Sequence, residues 1–269
     1  VATTNAFGIS LGVLRWLKLL DARVVFVAMG VGDLLRQPVR RWAIGRALKM
    51  VHTVAISRAE AAYLDKVMGK DHRVGYLTFG VDAGFWTPGD GREGGNEPYV
   101  LSIGNDTHRD YATLIAAWNT DFPKLRIVTS HVLEEAENVE VIAGDWRSQI
   151  LSDEQVRDLV RGARFVVVPV RQTIQPSGQS VCLQAMSCGK AVIMSDIDGL
   201  WERGLMSDGE TCVLVPCGSV PALHSAAAGL LARPSHAARI GKAARKVVEN
   251  HLNVEAMASS MRKLVSGLS

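Results

Sequence analysis

Short apolar runs alternate along the chain with segments whose apolar residues recur at the three- to four-residue spacing of a helix. The runs predict strands over residues 23–28, 53–56, 74–79, 99–103, 125–129, 139–143, 165–168, 191–195 and 212–215. The other segments predict helices over residues 9–20, 39–49, 58–68, 110–119, 154–162, 220–231, 235–250 and 254–265. This alternation is typical of α/β proteins in which helices cover the faces of parallel sheets.

One stretch, residues 89–98, is rich in glycine and polar side chains, and we interpret it as a linker between two domains. Only about ninety residues precede it, whereas domains usually have about 100–150 residues. Because the chain also starts like the end of a strand, we expect the first domain to be incomplete. Near the end of that domain, Ser57 and Glu60 predict a capping box at the start of helix 58–68.

A glycine-bearing loop and the start of a helix lie between the apolar runs 165–168 and 191–195. Residues 175–180 read Gln-Pro-Ser-Gly-Gln-Ser, and the spacing after them predicts a short helix that ends at Gly189. Such a loop directs unpaired backbone N–H groups and the positive end of a helix dipole into a cleft. The pattern favours the binding of a phosphate or a polar sugar.

The run Gln184-Ala-Met-Ser-Cys-Gly-Lys-Ala-Val-Ile resembles the signature of retaining GT-B glycosyltransferases of the group 1, or family 4, type. The resemblance covers nearly the whole chain, because Phe79-Gly-Val-Asp and Phe85-Trp-Thr-Pro are similar to the end of that family's acceptor domain. It implies an α/β fold of two Rossmann-like domains that face a cleft. The domains would be residues 1–94, incomplete and including the linker, and residues 95–250, which bind a nucleotide sugar. Residues 251–269 would form a C-terminal helix that returns to the first domain.

The resemblance implies a hexosyltransferase-like enzyme that moves a sugar from a nucleoside-diphosphate sugar to an acceptor hydroxyl with retention of the anomeric configuration. Two positions depart from the family pattern: Gln184 stands where the helix usually has Glu, and Pro176 where a second Glu is usual. A glutamine can still accept a hydrogen bond from a ribose hydroxyl, although without charge assistance. The departures leave open a nucleotide-sugar epimerase of GT-B fold and a non-catalytic nucleotide-sugar-binding module.

The resemblance places the donor site in three segments of the second domain. These are Gly104, Asn105 and Arg109 after the first strand, then Ser177, Gly178, Gln179 and Ser180 in the glycine loop, and Gln184 on the helix. Arg109 most nearly matches a diphosphate-binding lysine of the family, and its guanidinium can bond two phosphate oxygens at once. The alternative for Arg109 is an ion pair with Asp106 or Asp110. No catalytic residue is identified, since the front-face mechanism of such enzymes requires no protein nucleophile.

Two further segments are expected at the cleft. Gly144, Asp145 and Trp146 follow a buried strand at its carboxyl end, where open α/β sheets bind ligands, and we interpret them as a loop on the base side of the nucleotide. An exposed loop anchored by a buried tryptophan is the alternative. Thr3, Thr4 and Asn5 occupy the family's acceptor-side positions.

Composition limits the partners. The net charge of +3 on 269 residues is too small to indicate a nucleic-acid partner, and no run of about eighteen apolar residues predicts a membrane span. The four cysteines lack a metal-binding spacing and lie in or beside apolar runs, so we expect reduced core thiols, a cytoplasmic location and no bound metal. No cofactor is expected beside the donor substrate.

The acceptor is left open as a glycan, a lipid or a small molecule, and the sequence identifies neither the sugar nor the base. Residues 36–49 are strongly basic, which usually indicates a solvated helix face. The same segment leaves open a peripheral contact with anionic headgroups at the inner face of the membrane.

Overall fold

Two separate parallel sheets form the core of the computed structural model, which describes residues 1–69, 72–90, 97–144 and 150–267. The first sheet has the order β1-β2-β3, with β1 (Val25–Ala28), β2 (His52–Ala55) and β3 (Gly75–Tyr76). The predicted strand 74–79 is therefore shortened to two residues.

The prediction of two Rossmann-like layers is confirmed. The proposed linker falls partly on residues 91–96, which lie outside the described residues, so the domain bounds stay a prediction.

The second sheet has the order β6-β5-β4-β7-β8-β9. Its strands are β4 (Tyr99–Ile103), β5 (Lys124–Thr129), β6 (Val139–Ala143), β7 (Val166–Val168), β8 (Val192–Ser195) and β9 (Val213–Val215). The strand order reverses between β4 and β7, which are neighbours in the sheet but far apart in the chain. In open parallel sheets, such a reversal leaves a crevice at the carboxyl ends of the strands, where ligands bind.

The helices cover both sheets. They are α1 (Asn5–Trp16), α2 (Val31–Leu34), α3 (Pro38–Leu48), α4 (Arg58–Met68), α5 (Tyr111–Ala116), α6 (Asp153–Gly162), α7 (Gln179–Ser187), α8 (Val220–Ala232), α9 (Pro234–His251) and α10 (Val254–Ser266). The first helix begins four residues before the predicted position because the Thr4 side chain caps it, accepting a hydrogen bond from the backbone N–H of Phe7. The short α2 has no counterpart among the predicted helices. None of the described helices is both long and apolar enough to cross a membrane.

The C-terminal helix α10 lies against the first sheet. Its Met257, Met261 and Leu264 pack on a cluster formed by Val25, Val27, Val54, Ile56 and Leu77. The turn before α10 is tied to the end of the first domain, because the backbone N–H of Val81 donates to Leu252 (3.0 Å) and that of Val254 to Val81 (3.1 Å). The last helix therefore covers one face of the first sheet.

The structure corrects the predicted capping box at Glu60. The Ser57 hydroxyl caps α4 as expected, accepting from the backbone N–H of Glu60 at 3.3 Å. The Glu60 carboxylate, however, is buried and accepts from the backbone N–H groups of Gly30 (3.1 Å) and Gly32 (3.0 Å), at the start of α2. Burial raises the pKa of Glu60, and these N–H groups oppose the rise. The carboxylate thus fixes the loop after β1, which borders the cleft between the sheets.

We expect Glu60→Ala to lower the free energy of unfolding by about 2 kcal/mol or more, because it leaves two backbone N–H groups without their acceptor. Urea denaturation followed by circular dichroism measures the loss. Lys66→Ala, an exposed position on the same helix, is the control and should change stability by less than about 0.5 kcal/mol. Equal losses in the two variants would show that the Glu60 carboxylate does not hold the loop.

Candidate functional site

The candidate site lies where β4 and β7 end side by side. The loop after β4 carries Arg109, and the loop after β7 carries residues 175–178. Backbone hydrogen bonds join the two loops, since the N–H of Asp110 donates to Pro169 (3.1 Å) and that of Arg171 donates to His108 (2.8 Å). The reversal of strand order therefore brings together two loops that are about sixty residues apart in the chain.

Arg109 lies between the backbones of two glycines. Only 3% of its side chain is exposed, and its Nε is 2.9 Å from Asp106 Oδ2. A Cβ at Gly104 would collide with the guanidinium, and one at Gly178 would lie 2.9 Å from Arg109 Nη1. The predicted proximity of Arg109 to the glycine loop is confirmed. The alternative ion pair with Asp106 is also present, so the guanidinium has a counter-ion and faces the loop as well.

Two buried polar side chains at this point have atoms without a hydrogen-bond partner among the described residues. They are Arg109, at Nε and Nη1, and Gln179, at both atoms of its amide. Gln179 is only 3% exposed. Buried polar groups in proteins are nearly always hydrogen-bonded, and leaving one unpaired costs about 1–3 kcal/mol. These atoms are therefore positioned to bond a ligand or ordered water.

Two cavities meet at Arg109. The first, which we call the interdomain cavity, has a volume of about 290 Å³ and lies between residues 175–181 and four residues of the first domain, namely Met29, Gly30, Ile56 and Phe79. The second, the sheet-edge cavity, has a volume of about 610 Å³ and is lined by Gly104, Asn105, Gly144, Val156 and Gln184, among others. Both cavities are lined by Asp106, Arg109, Ser180 and Val181. The Arg109 side chain therefore belongs to the wall that the two cavities share.

The first turn of α7 forms the floor of this junction. Gly178 is its N-cap residue in a left-handed conformation (φ 81°), and no side chain caps the helix. Ser180 borders both cavities, and Gln184, one turn further on, is half-buried and lines the sheet-edge cavity. The positive end of the α7 dipole therefore faces the place where the cavities meet.

Asn105 has a structural role. Its Nδ2 donates to the carbonyl of Gly144 (2.7 Å), and its Oδ1 accepts from the backbone N–H of Ser130 (2.6 Å). The amide thus holds together the carboxyl ends of β5 and β6 at the wall of the sheet-edge cavity. Direct contact of Asn105 with a donor stays a prediction. Asp145 and Trp146 lie outside the described residues.

The expected acceptor-side residues have other partners. Thr4 caps α1, and Asn5 exchanges two hydrogen bonds with the backbone of Met29 (2.7 and 3.2 Å). None of Thr3, Thr4 and Asn5 is among the described residues that line the two cavities. Asn5 therefore holds the backbone of Met29, which lines the interdomain cavity. A contact of Thr3, Thr4 or Asn5 with an acceptor stays a prediction.

The cysteines offer no nucleophile in this region. Cys182, Cys188 and Cys212 are buried free thiols, as expected, whereas Cys217 is half-buried. Burial raises the pKa of Cys188 to about 11 and that of Cys212 to about 12, so both are protonated at neutral pH. Among the described residues, no group of three or more His, Cys, Asp or Glu side chains is arranged to hold a metal ion.

Sequence reasoning missed two parts of the site. The first-domain wall at Met29 and Gly30 was not predicted, although the Gly30-Val-Gly run directly after a buried strand is a signal of close backbone approach. Asp106 was treated only as a partner for Arg109, yet it borders both cavities.

Comparison with known families finds a match for the middle part of the chain. Residues 102–233 match the family described as Glycosyl transferases group 1. This region is a group 1 glycosyltransferase domain. The glycine loop, Arg109 and α7 all lie within it.

One curated relative, the alpha-maltose-1-phosphate synthase of Mycolicibacterium smegmatis, is 27% identical over 169 residues. The alignment covers 53% of this chain and 42% of the relative, so the chain matches less than half the length of that protein.

Solved structures share the fold. Sucrose-phosphate synthase from Thermosynechococcus elongatus is 23% identical with a TM-score of 0.79, covering 96% of this chain and 71% of the other. HepE of Anabaena, solved in complex with UDP and glucose, is 14% identical with a TM-score of 0.78, covering 96% and 76%. The expected α/β fold of the GT-B type is confirmed.

The packing of Arg109 against Gly178 predicts that Gly178→Ala is strongly destabilising. An alanine there needs the left-handed conformation, and its Cβ would also collide with Val168 and crowd Arg109. Gly209→Ala is the matched control, because Gly209 also has a positive φ (71°) but open space around it. We expect a loss of about 1–2 kcal/mol for the control and about 1–3 kcal/mol more for Gly178→Ala. Equal losses in urea denaturation would contradict the close approach of loop and guanidinium.

Proposed function

We propose that the protein is a glycosyltransferase that moves a sugar from a nucleoside-diphosphate sugar to an acceptor hydroxyl. The observation that carries the proposal is the buried Arg109, with Nη1 unpartnered, at the junction of two cavities. The group 1 domain over residues 102–233 supports sugar transfer. The presence of UDP-glucose in a structure of HepE, which has the same fold, supports a nucleotide sugar as the donor.

The cavities suggest how such a donor would bind. The nucleoside would occupy the sheet-edge cavity, with its ribose near Gln184 and its base near the backbone of Gly144. The diphosphate would lie at the junction, beside Arg109 and the first turn of α7. The sugar would then extend into the interdomain cavity, whose other wall belongs to the first domain.

The proposed catalysis is electrostatic. As the bond between sugar and diphosphate breaks, negative charge grows on the leaving diphosphate, and Arg109 and the α7 dipole would stabilise it. We propose that the reaction retains the anomeric configuration, requires no metal and uses no protein nucleophile. NMR of the anomeric proton in the product tests retention, and unchanged activity in the presence of EDTA tests metal independence.

A non-catalytic binding module is the second candidate, because Pro176 and Gln184 replace two family carboxylates. One assay separates the candidates. The protein is incubated with UDP-, GDP- and ADP-sugars, with and without simple acceptors, and the products are analysed by NMR. Released nucleoside diphosphate supports transfer, an isomerised nucleotide sugar indicates an epimerase, and binding without turnover indicates a module.

We also propose a cytoplasmic location with a peripheral contact at the inner face of the membrane. The free cysteines support the first part. For the second, α3 presents exposed Arg40, Arg46 and Trp42, with Arg46 Cζ 4.8 Å from the centre of the Trp42 ring. Sedimentation with anionic vesicles, but not with zwitterionic ones, would support this contact, and loss of binding in Arg40→Ala/Arg46→Ala would locate it.

We expect Arg109→Ala to bind the nucleoside diphosphate about ten- to hundredfold more weakly, because a hydrogen bond to a charged group contributes about 1.5–3 kcal/mol. Gln184→Ala should lose less, since its bond to the ribose is neutral. Calorimetric titration with UDP, GDP and ADP measures both effects. Arg164→Ala, which removes an exposed arginine at the amino end of β7, is the charge-matched control. Unchanged affinity in Arg109→Ala would defeat the assignment.

A further inference from the structure

Asp106 occupies the junction of the two cavities. One carboxylate oxygen, Oδ2, lies 2.9 Å from Arg109 Nε. The other, Oδ1, accepts hydrogen bonds from the Ser177 hydroxyl (3.1 Å) and from the backbone N–H of His108 (3.1 Å). About a third of the side chain (36%) is exposed, and it lines both cavities.

The partners of this carboxylate belong to the two loops on which the proposed function places the diphosphate. Arg109 comes from the loop after β4 and Ser177 from the loop after β7, and Asp106 forms an ion pair with the first while it accepts a hydrogen bond from the second. A carboxylate and a phosphate both present oxygen acceptors and negative charge to a guanidinium. Asp106 therefore has the chemistry and the contacts of a bound anion.

Burial of Arg109 explains why an anion is needed there. A guanidinium that is almost wholly removed from water is strongly destabilising unless a counter-ion lies beside it. In the described part of the chain, the carboxylate that lies against Arg109 is Asp106. A diphosphate at the junction would bring a second anion to the same guanidinium, and like charges a few ångströms apart repel each other.

We propose that Asp106 is an internal competitor of the donor diphosphate: it neutralises Arg109 while the site is empty and must yield when the nucleotide binds. This inference rests on the proposed function and deepens it. The competition lowers the affinity for nucleoside diphosphates as a class, and it therefore favours release of the diphosphate after sugar transfer. It acts on charged ligands and leaves the affinity for an uncharged nucleoside unchanged.

A purely structural role for Asp106 predicts the opposite result. If the carboxylate only held Arg109 in position, its removal would misplace the guanidinium and weaken the binding of a diphosphate. The sign of the change in affinity therefore distinguishes the two roles.

The test is Asp106→Asn, which keeps the shape and one acceptor oxygen but removes the charge. Calorimetry with UDP, GDP and ADP first identifies the diphosphate that the wild type binds, and the variant is titrated with it and with the matching nucleoside. We expect the diphosphate to bind about three- to tenfold more tightly and the nucleoside to bind as in the wild type. Asp121→Asn, with the same charge change at an exposed position before β5, should change neither affinity.

Thermal unfolding gives an independent readout. The unliganded Asp106→Asn variant should melt at a lower temperature than the wild type, because Arg109 has lost its counter-ion. Saturating diphosphate should raise the melting temperature of the variant by more than it raises that of the wild type. If that variant does not fold, Asp106→Ser replaces it. Suppose that the wild type binds the diphosphate and that the Asp106→Asn variant binds it equally well or more weakly. That result would overturn the competition alone. A wild type that binds none of the three diphosphates would overturn the proposed function and the competition together.

Discussion

A positively charged guanidinium buried at the reversal of strand order is the constraint on which the site depends. Arg109 is accommodated because glycines stand on both sides of it, at Gly104 and Gly178, where any Cβ would intrude. The same glycine at 178 lets α7 begin without a side-chain cap, so its dipole and the guanidinium act on one point. Sheet topology, loop packing and electrostatics therefore converge on the junction between the two cavities.

The first domain is held against this junction by polar contacts to the segment before the glycine loop. The Ser57 hydroxyl donates to the carbonyl of Ile174 (2.9 Å), and Asp33 accepts from the side-chain amide of Gln175. Further along, Thr78 donates to Glu202 (2.9 Å). Because Gln175 stands at the start of the glycine loop, which lines the interdomain cavity, a movement between the sheets would be transmitted to the proposed diphosphate position.

The fold was predictable from sequence because it depends on local signals. Alternating apolar runs located nearly every strand and helix to within a few residues, and the glycine loop before α7 marked the ligand-binding edge of the sheet. The proximity of Arg109 to that loop followed from the parallel arrangement of β4 and β7. These inferences need only periodicity and the rule that parallel strands end at the same edge.

The remaining parts depend on partners that are distant in the chain. Glu60 had the sequence position of a capping residue, yet its carboxylate binds backbone N–H groups about thirty residues earlier. Asn5 and Asn105 were predicted as ligand-binding side chains, and in the structure each also bonds to a backbone segment that is distant in the chain. Such polar residues satisfy whichever buried groups the tertiary structure brings near, which local sequence does not specify.

A crystal structure of the protein with a bound nucleoside diphosphate tests the central claim most directly. The account predicts the diphosphate at the junction of the two cavities, with an oxygen within about 3 Å of Arg109 Nη1 and the Asp106 carboxylate displaced from the guanidinium. A nucleotide bound elsewhere, or a diphosphate at the junction that makes no contact with Arg109, would contradict it.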